Sequence, residues 1–381
     1  MVKTKSKARK GAAKVAKPAA PSGSAADVPG LIDKAHVLLA QSNFDLAIKF
    51  LERALQLEEG NLEARELLGV AELEEGDGDK GREHLLRLFP PHTAEPPASP
   101  SPYLYLAQSA AEPQEALGYY STAAAMIENL QAGKGKGRAE RDAAELEEER
   151  RIAVTSLIAM IEIWMSDLCF EPEASNNCDA LIARAVSIAP NDPEVLLTLA
   201  SIRLSQSKFD EAKETILKVY SDLEGRDPFD PMLPGLPVRL TFVRLLLEHH
   251  LHLEALDILS TAREEDSLEV EAAYLEGWAY HLRGEAVDAD PTLLAAGDDD
   301  DKPFTAAENY AESMRALLEA AKLFTEQEYP DEGIGAHIAD LLKGLEARGV
   351  QPAVVDEAED DAADEGGWED VGEADGDVEM A

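Results

Sequence analysis

The chain of 381 residues carries 76 acidic against 35 basic residues, a net charge of −41, with 45% hydrophobic and 6% aromatic residues. Such an acidic body repels nucleic-acid phosphates and attracts basic partners, which argues against direct nucleic-acid binding. No run reaches the roughly 18 apolar residues of a membrane span, and the N-terminus lacks the apolar core of a secretion signal.

In chain order, residues 1–27 are basic, rich in Pro, Ala, Gly and Ser, and without periodicity, which predicts a disordered arm. KTKSKARK within it reads equally as a nuclear-import signal or as a solubilising arm. Residues 28–61 and 62–95 then predict two helical hairpins. Leu31, Ala35 and Leu38 share an inner face, as do Ala47, Leu51 and Ala54. Gly69 stands where two helices cross closely, and Gly76-Asp77 makes a turn. The Pro-rich stretch near 90–102 cannot continue a helix. A third, degenerate hairpin keeps Ala116, Tyr120 and Ala123, and a charged insertion near 133–150 follows. Its GKGKG lacks a preceding strand and reads as linker.

Residues 159–192 and 193–226 predict contiguous fourth and fifth hairpins, with Ile182 and Ala185 in one and Phe209, Ala212 and Ile216 in the other. Cys169 and Cys178 fall at inward helix positions, as buried small residues of a reducing compartment would. An interruption near 227–235 precedes a sixth hairpin over 236–269. A seventh opens at 270 and is split by an insertion near 285–304 that contains Asp298, Asp299, Asp300 and Asp301. Its second helix resumes near Thr305. An amphipathic helix over 331–348 caps the open end, because a terminal repeat has no neighbour to bury its face. The tail 349–381 is predicted to be disordered. Its last 26 residues hold thirteen Asp/Glu and no Lys/Arg, around one tryptophan, Trp368.

A 34-residue period with small residues at fixed sites is the pattern of the tetratricopeptide repeat, which this chain resembles from 28 to 348. The resemblance implies an all-α superhelical solenoid of about seven hairpins with a C-terminal capping helix and disordered tails. It also implies that the first helix of each hairpin lines a concave, protein-binding groove. The register puts Ile32, His36 and Leu39 there, then Glu63, Glu66, Val70, Leu73 and Glu74, then Met160, Ile163, Asp167, Phe170 and Glu171. Glu194, Leu197, Ser201 and Leu204 follow, then Leu240, Arg244, Leu247 and Glu248, and last Glu271, Tyr274, Trp278 and His281. The client-binding candidates are Glu63, Glu66, Glu74, Asp167, Phe170, Glu171, Glu194, Glu248, Glu271, Tyr274 and Trp278. An apolar and acidic lining suits an extended segment with Lys/Arg between apolar residues, many weak charge pairs together steering association. Repeats that clamp the C-terminal carboxylate of heat-shock chaperones need Lys and Asn where Ile32, His36, Glu66 and Val70 stand, so that role is excluded.

Catalysis is not expected. There is no phosphate-binding Gly loop followed by Lys-Ser/Thr, no nucleophile elbow and no zinc signature. His249, His250 and His252 read as polar turn residues, and neither metal nor cofactor is expected.

The layout of basic arm, acidic solenoid, split seventh repeat and acidic tail with GGWEDV resembles the fungal family of dedicated chaperones of ribosomal proteins. NFDLAIKFLERALQLEEGNLEARELLGVAELEEGD carries the resemblance near the start. It implies a client, the large-subunit ribosomal protein L-four, whose basic extended loop is shielded until ribosome assembly. It further implies capture in the cytoplasm, travel into the nucleus with an import factor reached through the client, and release to ribosomal RNA without ATP. Two other readings stay open: a scaffold or adaptor subunit of a regulatory complex, and an acidic histone or nuclear-factor chaperone.

Overall fold

The computed structural model describes residues 27–131, 143–295 and 304–353. Among these it shows fifteen α-helices, one 3₁₀ turn over Pro291–Ala295 and no strand. The basic arm, GKGKG, Asp298 to Asp301, and the tail with Trp368 lie outside the described residues.

The helices begin where short polar side chains cap them. Asn43, Asn61 and Asp77 start α2 (Phe44–Leu57), α3 (Leu62–Glu75) and α4 (Gly78–Leu86), each accepting from a free backbone N–H of the first turn. Asp27 does the same for α1 (Val28–Ala40) and Asp192 for α9 (Pro193–Ser205). Thr305 and Glu308 form a reciprocal capping box at the start of α14 (Ala306–Glu326).

The hairpins close by one recurring turn. The backbone N–H of Asn43, Asp77, Lys208, Leu251 and Tyr329 each reaches back five residues to a carbonyl, at 2.8–3.0 Å. The residue before each of them, Ser42, Gly76, Ser207, His250 or Glu328, has positive φ. This is the Schellman closure, which uses two orphan carbonyls and reverses the chain in three residues. Only Gly76 takes that conformation without steric cost.

The chain divides into two compact units, the division falling within α8 (Ala174–Ile188). In the first, α1 packs on α2, α3 on α4, and the eight-residue α5 (Ser101–Gln108) on α6 (Pro113–Gln131). The 23-residue α7 (Ala143–Met165) packs on α6, and its first eight residues belong to the stretch read as insertion. Leu31, Ala35, Leu51, Ala54, Leu68 and Ala71 form the core of the first two hairpins. A Cβ on Gly69 would stand 2.8 Å from Leu85, so the close crossing of α3 and α4 requires glycine there.

In the second unit, α9 pairs with α10 (Phe209–Leu223), α11 (Leu236–Glu248) with α12 (His252–Glu265), and α13 (Val270–Ala289) with α14. The helix expected to cap the end, α15 (Glu332–Ala347), packs on α14 and α13. One hydrophobic core runs through this unit, with Phe242, Leu246, Leu259, Ala273, Leu275 and Leu317 buried. Residues 349–353, read from sequence as the start of the tail, are ordered against it. Val350 packs on the core and the Ala353 N–H donates to the Ala311 carbonyl at 3.1 Å.

Candidate protein-binding face

In the first unit three of the acidic candidates lie on one first helix, α3. His36 Nε2 on α1 lies 3.4 Å from Glu63 Oε1 on α3, with both side chains more than half exposed. Glu66 and Glu74 follow on α3. Both face Tyr105 of α5, whose phenol is pushed up first by burial and then by these two carboxylates. Glu63, Glu66 and Glu74 thus make one acidic stripe with an aromatic edge.

Asp167, Phe170 and Glu171 are not on a helix. α7 ends at Met165, and the Leu168 N–H closes back on the Ile163 carbonyl at 3.0 Å, so all three stand in the loop before α8. Phe170 is 98% exposed. Cys169 in the same loop is exposed rather than inward-facing, and Cys178 is buried as expected. Asp167 and Glu162 line a hollow of about 370 Å³ beside Tyr120 and Gln108, and burial pushes the Glu162 carboxyl up. The repeat register had missed Glu162.

In the second unit the chain itself occupies most of the candidate positions. Glu194 is half-buried in the first turn of α9, whereas Glu248, at the end of α11, remains exposed, with the packed protein beside it raising its carboxyl. Glu271 pairs with Arg244 of α11, and its side chain is only 12% exposed. Burial raises its carboxyl and Arg244 opposes that rise. Tyr274 is buried, stacked on Trp278 at 6.0 Å and hydrogen-bonded through its hydroxyl to His337 Nδ1 of α15 at 2.7 Å. Trp278, half-buried, meets the same imidazole edge-on at 5.4 Å. The capping helix therefore covers the aromatic pair assigned to client contact, a contact across 63 residues of sequence that no local pattern signals.

Several apolar groove candidates are core residues instead: Ile32, Met160, Leu197, Leu240 and Leu247 are all buried. A first helix in a stacked array touches its own partner and its neighbours, so only a narrow stripe stays open. At 100° per residue, an error of one position moves that stripe into the packing. His249 and His252 likewise are buried rather than solvated turn residues, while His250 holds the left-handed turn position.

Two arginines of the second unit are held among its carboxylates. Arg263 and Arg315 both pair with Glu276, at 3.1 and 2.6 Å, and reach Glu319 and Glu312, at 2.5 and 2.7 Å. This network joins α12, α13 and α14. Among the described residues no group of three or more His, Cys, Asp or Glu could hold a metal, and no helix is long and apolar enough to cross a membrane.

The pattern of the tetratricopeptide-repeat family matches residues 38–98. A probable assembly chaperone of rpl4 from Schizosaccharomyces pombe is 30% identical over 249 residues, covering 65% of this chain and 69% of that protein. Its counterpart from Emericella nidulans is 29% identical over 374 residues, covering 92% of this chain and 90% of that one. The solved structure of an assembly chaperone of RpL4 (Acl4, residues 1–338) superposes with a TM-score of 0.59 at 28% identity, covering 70% of this chain and 99% of that one.

Proposed function

Because the chain belongs to the family of the assembly chaperones of rpl4, we propose that it is a dedicated chaperone that binds newly made rpl4 and shields a basic, extended segment of it until ribosome assembly. The relatives favour this function over the adaptor and histone-chaperone alternatives. The observation that carries the mode of binding is the stripe of Glu63, Glu66 and Glu74 beside Tyr105. Exposed carboxylates attract Lys and Arg along an extended chain, each pair contributing about 0–1 kcal/mol and many together raising the on-rate.

No catalytic step is needed. The client leaves when ribosomal RNA, a denser polyanion, competes for the same basic segment. Capture belongs in the cytoplasm, where the client is made, and release in the nucleus, with an import factor engaged through the client.

The test is titration of the full chain with recombinant rpl4 at several salt concentrations. Affinity that falls steeply with salt is the expected result. No binding at low salt would sink the proposal.

A further inference from the structure

The Pro-rich stretch between α4 and α5 is a break in the repeat, yet it is fastened at both ends. Thr93 Oγ1 lies 2.8 Å from the carbonyl oxygens of both Leu88 and Glu95. At the other end the Tyr103 hydroxyl donates to the Pro97 carbonyl at 3.3 Å, and the Tyr103 ring stands edge-on to Phe89 at 5.1 Å. Residues 93–99 therefore form a strap in front of the start of α3.

Between strap and helix lies a hollow of about 460 Å³. Leu62, Leu88, Pro96 and Pro97 supply apolar walls, and Glu66 and Glu95 supply its charged groups. The volume is that of a small-ligand pocket, more than one side chain fills. Neither carboxylate has a cationic partner among the described residues. Glu66 also belongs to the acidic stripe beside Tyr105, so hollow and stripe are continuous.

Apolar walls with acidic groups select a particular ligand. A phosphate or an acidic peptide is repelled. A purely apolar segment leaves two carboxylates desolvated, which is unfavourable. A chain with an apolar side chain next to a Lys or Arg satisfies both surfaces. The apolar group fills the hollow, while the basic side chain lays its methylene stem along the prolines and brings its charge to Glu66 or Glu95. We propose that the hollow behind the strap 93–99 is an anchor pocket for one apolar residue and its adjacent Lys or Arg in the client's basic segment. The inference rests on the function proposed above and assigns it a specific point of attachment.

The test uses the full chain and recombinant rpl4. Ala98→Trp and, in parallel, Ala94→Trp fill the hollow from exposed positions on the strap. The pair Glu66→Gln with Glu95→Gln removes its charge. At unchanged helicity, the tryptophan variants are expected to bind rpl4 about tenfold more weakly with the salt dependence intact. The glutamine pair is expected to weaken binding and flatten the salt dependence. If the tryptophan variants and the glutamine pair bind like the parent while Glu63→Lys with Glu74→Lys weakens binding, the pocket is overturned and the acidic stripe stands. If the parent itself does not bind rpl4, both fall.

Discussion

The hydroxyl of Tyr274 and the imidazole of His337 meet at 2.7 Å, tying the last hairpin to the helix that caps it. The contact lies on a buried aromatic cluster, where an unmade hydrogen bond is expensive. Tyr274→Phe is expected to cost about 1 kcal/mol of stability, and His337→Ala about 1–3 kcal/mol because it also removes ring contacts with Tyr274 and Trp278. Urea melts of both single variants and the double variant check this. Strictly additive losses would mean that the pair does not couple the two helices.

Two sets of glutamates on first helices are expected to behave differently. Glu63 and Glu66 lie on the open stripe, so Glu63→Lys with Glu66→Lys should weaken rpl4 binding at matched helicity and lessen its salt dependence. Glu271 is enclosed and paired with Arg244. Glu271→Gln leaves the half-exposed Arg244 to water, which should cost no more than about 1 kcal/mol of stability and leave rpl4 affinity near the parent value. Titration calorimetry and denaturation on the same samples separate the two effects.

His252 gives the fold a sensitivity to acid. Burial, with smaller contributions from His250 and Arg283, pushes its imidazole down from 6.5 to about 4. Between those values the unfolded chain binds more protons than the folded one, so stability rises with pH there. It is fully present above about 6.5 and is lost as the pH falls toward 4. A loss of about 1–3 kcal/mol is expected across this window. His252→Gln should flatten the dependence in urea melts run at pH 7.5, 6 and 5.

Gly277 and Gly118 are expected to respond oppositely to alanine. A Cβ on Gly277 would stand 2.6 Å from Leu317 Cγ and 3.1 Å from the Leu317 backbone nitrogen, and the backbone cannot yield. Gly277→Ala should cost about 1–3 kcal/mol. Gly118 lies on the exposed surface of α6 with nothing within 4 Å of its added Cβ, so Gly118→Ala should add about 0.5–1 kcal/mol. Thermal melts of the two variants, moving in opposite directions, test the close approach of α13 to α14.

The hairpins were legible because their constraints are local. Small residues such as Gly69 and Gly277 mark helix crossings, and Asn and Asp before the apolar runs mark helix starts. The site was less legible because it depends on which positions remain open after packing. Phe170 shows one failure. The long α7 takes its register from its own buried residues Ala153, Leu157 and Ile161, and it ends before the 34-residue frame would end it. Tyr274 shows another, since its fate is decided by His337 on a helix outside the repeat. The strap over 93–99 shows a third: prolines announce the end of a helix but not the hydroxyl contacts of Thr93 and Tyr103 that give the loop its shape.

The open stripe of α3 also bears on the energetics of binding. Its carboxylates gather mobile cations of the solvent near the surface, as any polyanion does. A basic client displaces them. Their return to bulk solution is an entropic gain, so part of the driving force for capture comes from small ions that neither protein retains.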